Sequence, residues 1–152
     1  MTNNHRRSLI HKIIEELSLL IPAYKESPAD WASCEGNVAA CIIDQNGNVY
    51  GKIWGSDKIR GRKYYDVAYR KASQSWITGY KTGEYEKLVF NEQLNYRDFG
   101  IPLPELIGWQ GGQPVYIDES TILFCGFSGF RGVTDVAIVQ QATENALKSS
   151  GL

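Results

Sequence analysis

The chain is poor in the residues that most metal and redox chemistry requires. Its 152 residues hold two histidines, His5 and His11, and three cysteines, Cys34, Cys41 and Cys125. An odd number of cysteines cannot all pair within one chain, and no CxxC or Cys/His spacing outlines a metal site, so no metal centre is expected. Cys41 and Cys125 sit inside apolar runs, where a free thiol behaves as a small buried hydrophobe. No apolar run reaches membrane-spanning length, and the N-terminal MTNNHRRS lacks the apolar segment of a signal peptide. No membrane association is therefore expected, and the implied compartment is the cytoplasm. An excess of either charge is missing as well, the formal net charge being -1. The densest basic stretch, Lys58, Arg60, Arg62 and Lys63, is too short to mark nucleic acid as a partner. No triad, metal cluster or paired-carboxylate arrangement is recognisable from spacing, so nothing in the residues establishes catalysis.

What is present describes one ordinary domain spanning residues 1–152. Hydrophobic content of 43% and charged content of 22% match a soluble globular chain of this length. Leu9, Ile10, Ile13, Ile14, Leu17, Leu20 and Ile21 recur with the 3.6-residue rhythm of an amphipathic helix from Arg6 to about Tyr24. Pro22 and Pro28 then mark its end and a loop. Two strand-like runs, Val38–Ile43 and Asn48–Trp54, flank the DxNG turn at Asp44–Gly47, the strongest hairpin signal in the chain. A second helix is expected from about Arg62 to Tyr80, with Tyr65, Ala68, Ala72 and Trp76 facing inward, and a short one from Glu84 to Leu94. Leu106–Trp109, Val115–Ile117 and Thr121–Phe127 read as short strands, and Thr134–Leu147 as a helix capped by Thr134. The order α-β-β-α-(α)-β-β-β-α predicts an α+β domain, an antiparallel sheet of about five strands with helices packed on it.

Several motifs stand in order along this framework. They are AACIIDQNGNVYG at the first hairpin, AYRKA at 68–72, GGQPV at 111–115, CGFSG at 125–129, and Asp135 opening the last helix. In this arrangement, over roughly residues 9 to 147, the chain resembles the GlcG/HbpS-like family of small haem-degrading or haem-binding domains, which includes the C-terminal domain of PduO-type proteins. The resemblance implies a small-ligand-binding domain that self-associates into homo-oligomers, with haem or another tetrapyrrole as ligand and possible cofactor. The chain departs from the family pattern at Trp54-Gly55-Ser56-Asp57 and at Gln141-Ala142, and its 80–110 region is long and aromatic.

The candidate residues carry alternative readings. Haem usually needs an axial ligand, and His5 or His11 would supply it; each is otherwise an ordinary polar residue of the first helix. His5 continues the inward stripe if the helix begins early, whereas His11 falls on a flank. Ser128, Gly129 and Gly132 precede a helix N-terminus, where backbone N–H groups attract anions, and Arg131 adds a charge suited to a carboxylate. The plain reading is a tight corner with Arg131 in water and Asp135 already at the helix end. Gly111 and Gly112 bring bare backbone to the same region, and Trp54 and Trp109 are candidates to wall a flat ligand. Lys71 is either a base with lowered pKa or a partner for a carboxylate. Two further function classes remain beside ligand binding. One is a small metal-independent enzyme, an isomerase, lyase or hydratase of a carboxylated metabolite, using Lys71 and Arg131. The other is a regulatory or structural subunit.

Overall fold

The computed structural model describes residues 1–151. Helix α1 spans Asn3–Leu20, begun by Thr2, whose hydroxyl accepts from the His5 N–H, and buries Leu9, Ile10, Ile13 and Leu17. A 3₁₀ turn, Ile21–Glu26, follows in place of a continued helix. Pro28 does not leave a loop behind it: it opens a short helix, α2 (Pro28–Cys34). Its fixed φ and missing N–H suit the first helical turn, where that donor has no partner anyway.

Strands β1 (Val38–Asp44) and β2 (Val49–Trp54) form the expected hairpin, paired from Val38 opposite Trp54 to Ile43 opposite Val49. Asp44 builds the turn by accepting from the Asn46 and Asn48 N–H groups. Helix α3 (Lys58–Thr78) starts earlier than the apolar rhythm indicates, because Asp57 caps it through the N–H groups of Ile59 and Arg60. Helix α4 (Thr82–Phe90), strand β3 (Gly112–Tyr116), strand β4 (Ile122–Ser128) and helix α5 (Gly132–Ser149) complete the chain.

The architecture is α+β, with a four-stranded antiparallel sheet in the order β2-β1-β4-β3. The segment Leu106–Trp109 supplies no fifth strand. The Gln74 side chain takes the place of a strand partner: its amide nitrogen donates to the Ile107 carbonyl at 2.9 Å, and its oxygen accepts from the Ile107 N–H at 2.8 Å. The backbone polar groups there are thus satisfied without a ladder.

Helices α1 and α5 cover one face of the sheet and α3 the other. Both central strands are therefore buried on both sides, which explains why Val38–Ile43 is a continuous apolar run rather than an alternating one. Along β1, Val38, Ala40 and Ile42 face the α1/α5 layer, while Ala39, Cys41 and Ile43 face α3. Contact between α3 and β4 is close enough that a Cβ at Gly126 would overlap the Ala68 carbonyl and press on the Ala72 N–H. The AYRKA and CGFSG motifs are two sides of this one contact, small residues on the helix meeting a glycine on the strand.

Strand β3 is an outer strand. Phe127 donates its N–H to Gly111, and Ile117 donates to Thr121. The alternation between these bonds turns the Pro114 nitrogen away from β4, where a missing N–H interrupts no ladder bond.

Among the described residues, no helix is long and apolar enough to cross a membrane, and no group of three His, Cys, Asp or Glu side chains could hold a metal ion.

Candidate functional site

The close approach of α3 to the sheet inserts Lys71 between β4 and α5. The residue is only 2% exposed. Its Nζ donates to the Phe127 carbonyl at 2.8 Å and to Asp135 Oδ2 at 3.2 Å. The other Asp135 oxygen, Oδ1, accepts from the Phe130 N–H at 3.1 Å. Burial pushes the Asp135 carboxyl up from 3.8 to about 7, with the Lys71 charge pulling the other way. Burial likewise lowers the Lys71 ammonium, opposed by Asp135. Burial thus biases both members of this nearly inaccessible lysine–carboxylate pair toward their neutral forms, against their mutual attraction.

Gly111 is part of this arrangement. It adopts φ +123°, and a Cβ there would stand 2.7 Å from Lys71 Nζ and 2.7 Å from the Phe127 carbonyl. Gly112 is equally confined, against Lys71 O and the Thr82 methyl. Thr82 then ties the segment down, donating to the Trp109 carbonyl at 2.6 Å and accepting from the Gly112 N–H at 3.3 Å. The double glycine is where the chain passes over the lysine.

A cleft of about 380 Å³ opens beside the pair. Lys71, Asp135, Ser128 and Gly129 contribute polar and backbone surface, while Tyr64, Val67, Trp109 and Phe130 supply the apolar wall and Lys63 a cation. Tyr64 is fixed across it by donating to the Ser33 carbonyl at 3.2 Å. Trp109 is 68% exposed although its backbone is held by Thr82, which leaves the ring free at the opening.

Of the sequence candidates, Lys71, Trp109, Ser128, Gly129 and Gly132 are brought together here. The rest lie elsewhere. Gly111 and Gly112 line a neighbouring cleft of about 490 Å³ with Thr82, Glu84 and Glu86, and Gln110 borders both clefts. Trp54 stands on the α1 side of the sheet, its Nε1 donating to Ser18 Oγ at 2.9 Å, and reaches the cleft only through the stacked rings of Phe127 and Phe130. His11 packs edge-on against Tyr50 on the outside of α1. His5 is exposed and does not extend the inward stripe; it lines a separate depression with Met1, Ser8, Lys12 and Asp118.

The α5 N-terminus is filled from within the chain. Asp30 of α2 accepts from the Arg131 N–H, from Arg131 Nε at 3.0 Å and Nη2 at 3.2 Å, and from Thr134 Oγ1 at 2.9 Å. Ser27 donates to it as well, and these donors, Arg131 foremost, hold its carboxyl well below the usual carboxylate range. Arg131 is consequently engaged with a carboxylate of its own chain, and Thr134 serves Asp30 instead of acting as the helix cap. Asp30 carries no motif signal, since 101 residues separate it from Arg131. Phe130 and Gln110 were equally hidden, whereas Tyr64 belongs to the aromatic surplus, with Trp54 and Trp109, that could wall a flat ligand.

No family model matches the chain, and no curated protein matches it. Solved structures do. HbpS superposes with a TM-score of 0.62 at 19% identity, over 90% of this chain and 87% of that one. Protein ORFY of Klebsiella pneumoniae gives 0.64 at 20% identity, over 91% and 87%. The PduOC–haem complex gives 0.59 at 18% identity, over 95% and 93%. The chain shares their fold, the one that its sequence resemblance implies.

Proposed function

We propose that this is a GlcG/HbpS-type domain that binds a small organic ligand in the cleft between Tyr64, Trp109 and the Lys71–Asp135 pair. The observation that carries the reading is the combination of apolar walls with convergent polar groups whose proton affinities burial has shifted. A thermal-shift screen of small aromatic and carboxylated compounds tests it. A ligand that raises Tm should lose its effect in Trp109→Ala and in Val67→Trp, which fills the cleft. Unchanged affinity in Val67→Trp removes the reading.

Haem is a second reading, favoured by the PduOC–haem complex among the structures sharing the fold. The Lys71 cleft does not suit it, because no imidazole or thiolate lines that space. The residues that fit are those around His5, with Lys12 as a cation for an acid side group. Bound there, haem would supply an iron centre open to redox or gas chemistry. Titration with haemin tests this: a defined Soret shift should vanish in His5→Ala and persist in His11→Ala. A spectrum matching haemin mixed with an unrelated protein removes haem.

Self-association belongs to the same proposal. The free edge of β2 supports it, with Val49 and Ile53 about half exposed beside the exposed Ile59 of α3. A mass from light scattering equal to that of the single chain at all concentrations removes it.

A further inference from the structure

We infer that the cleft selects a small aromatic carboxylate, its acid group held by the Ser128 hydroxyl and the Lys63 ammonium and its ring laid against Trp109. The inference rests on the ligand-site reading above and adds the class of ligand and the two residues that select its charge.

A hydroxyl without a partner carries it. The sheet register sets Ser128 opposite Ala39, which faces α3, so the Ser128 side chain stands on the α3 side of the sheet, where it lines the cleft. Ser128 is only 6% exposed. The other two hydroxyls of the cleft are engaged, Ser33 donating to the Gly129 carbonyl at 3.4 Å and Tyr64 to the Ser33 carbonyl at 3.2 Å. The Ser128 hydroxyl bonds to no group of the described residues. A nearly buried hydroxyl in that position is destabilising unless something outside the chain supplies its partner.

Charge decides what that partner is. Asp135 is the only carboxylate on the cleft, and Lys71 answers it at 3.2 Å. Lys63 is exposed and enters no ion pair of the described residues; the carboxylate one turn further along α3, Asp66, is held by Arg70 at 3.4 Å. The cleft therefore presents one uncompensated charge, a cation, together with one free donor. A carboxylate meets both, because it has two accepting oxygens and no donor of its own. Arg131 is not available for this role, being engaged by Asp30. Tyr64, Val67, Phe130 and the exposed Trp109 ring form a wall for an apolar body, and aromatic faces favour a flat one. A bare phosphate or a short aliphatic acid would leave that wall uncovered.

The test is calorimetric titration of the intact protein with 2-naphthoate and with its uncharged counterpart 2-naphthamide, at about pH 7.5, where the acid is ionised. Naphthoate should bind at least about tenfold more tightly than the amide. Lys63→Gln should remove most of that preference and leave the affinity for the amide unchanged. Ser128→Ala should weaken naphthoate by about fivefold or more. The same variant should keep or raise the Tm of the ligand-free protein, because no bond within the chain is lost; a fall in that Tm shows that the hydroxyl already has a partner and overturns the inference. Val67→Trp should abolish binding of both compounds, and binding that survives it lies outside the cleft and overturns the inference. Equal affinity for acid and amide overturns the selection of charge and leaves the ligand site standing. A preference for naphthoate that persists in both Lys63→Gln and Ser128→Ala overturns the assignment of these residues. Failure of both compounds to bind overturns the aromatic carboxylate, while the ligand site itself stands or falls by the thermal-shift screen.

Discussion

Asp30 and Asp135 both serve the N-terminus of α5, in very different surroundings. Asp30 receives donors from Arg131, Thr134 and Ser27, and its main partner is 57% exposed in its side chain. Asp135 is closed in with a lysine that is 3% exposed in its side chain and one backbone N–H. The first carboxyl is driven down by its many donors, the second up to about 7 by burial. Helix position alone would favour the anion at both places. What separates them is the count of donors against the loss of water, and only the second pair borders the cleft with both of its members.

Removing the cation from the buried pair should have the largest effect. Lys71→Met leaves Asp135 uncompensated and should destabilise the fold by about 3–5 kcal/mol in urea denaturation. Adding Asp135→Leu should recover most of that loss. A single-variant cost below that of the Arg131 change would abolish the contrast between the pairs.

Asp30→Ala comes next. It strands the Thr134 hydroxyl and the Arg131 N–H, and a loss of about 1–3 kcal/mol is expected.

The pH dependence separates the two carboxyls by sign. Asp30 has a depressed folded-state pKa, so its contribution is complete above the unfolded value of 3.8 and is lost as pH falls further. Asp135 is raised from 3.8 to about 7, so the folded chain binds the extra proton across that window. Its contribution is therefore fully present below the window and declines as pH rises through it. Urea melts at about pH 4.5 and about pH 7.5 should show wild type losing stability relative to Asp135→Asn, by at most ~1.4 kcal/mol per pH unit. A difference that grows with pH instead would reverse the assignment.

The smallest change is expected for Arg131→Gln. Solvent screens the exposed guanidinium, and the urea midpoint should shift less than in Asp30→Ala in the same melts.

Much of the frame was legible because its causes are local. The DxNG turn is closed by Asp44 within its own few residues, and α1 declares itself through a single buried stripe. The two glycine motifs were legible as special positions, yet their reason was not. Gly126 answers to Ala68 and Ala72, and Gly111 answers to Lys71, across long separations in the chain. The reading of Leu106–Trp109 as a strand failed for a related cause: periodicity cannot reveal that a glutamine side chain will stand in for a partner strand. At the site, Lys71 and Trp109 could be singled out by type, whereas the engagement of Arg131 by Asp30 depends on α2, a helix only seven residues long.

Pro114 has a consequence at the level of assembly. Its nitrogen faces outward in the middle of β3, so a strand arriving from another copy would find no donor there. β2, at the opposite rim, contains no proline. The missing donor makes the β3 rim the poorer one for backbone pairing and leaves β2 the better. Pairing through β2, should copies self-associate as proposed, would consume that rim in both partners and close into a pair rather than grow into a fibre.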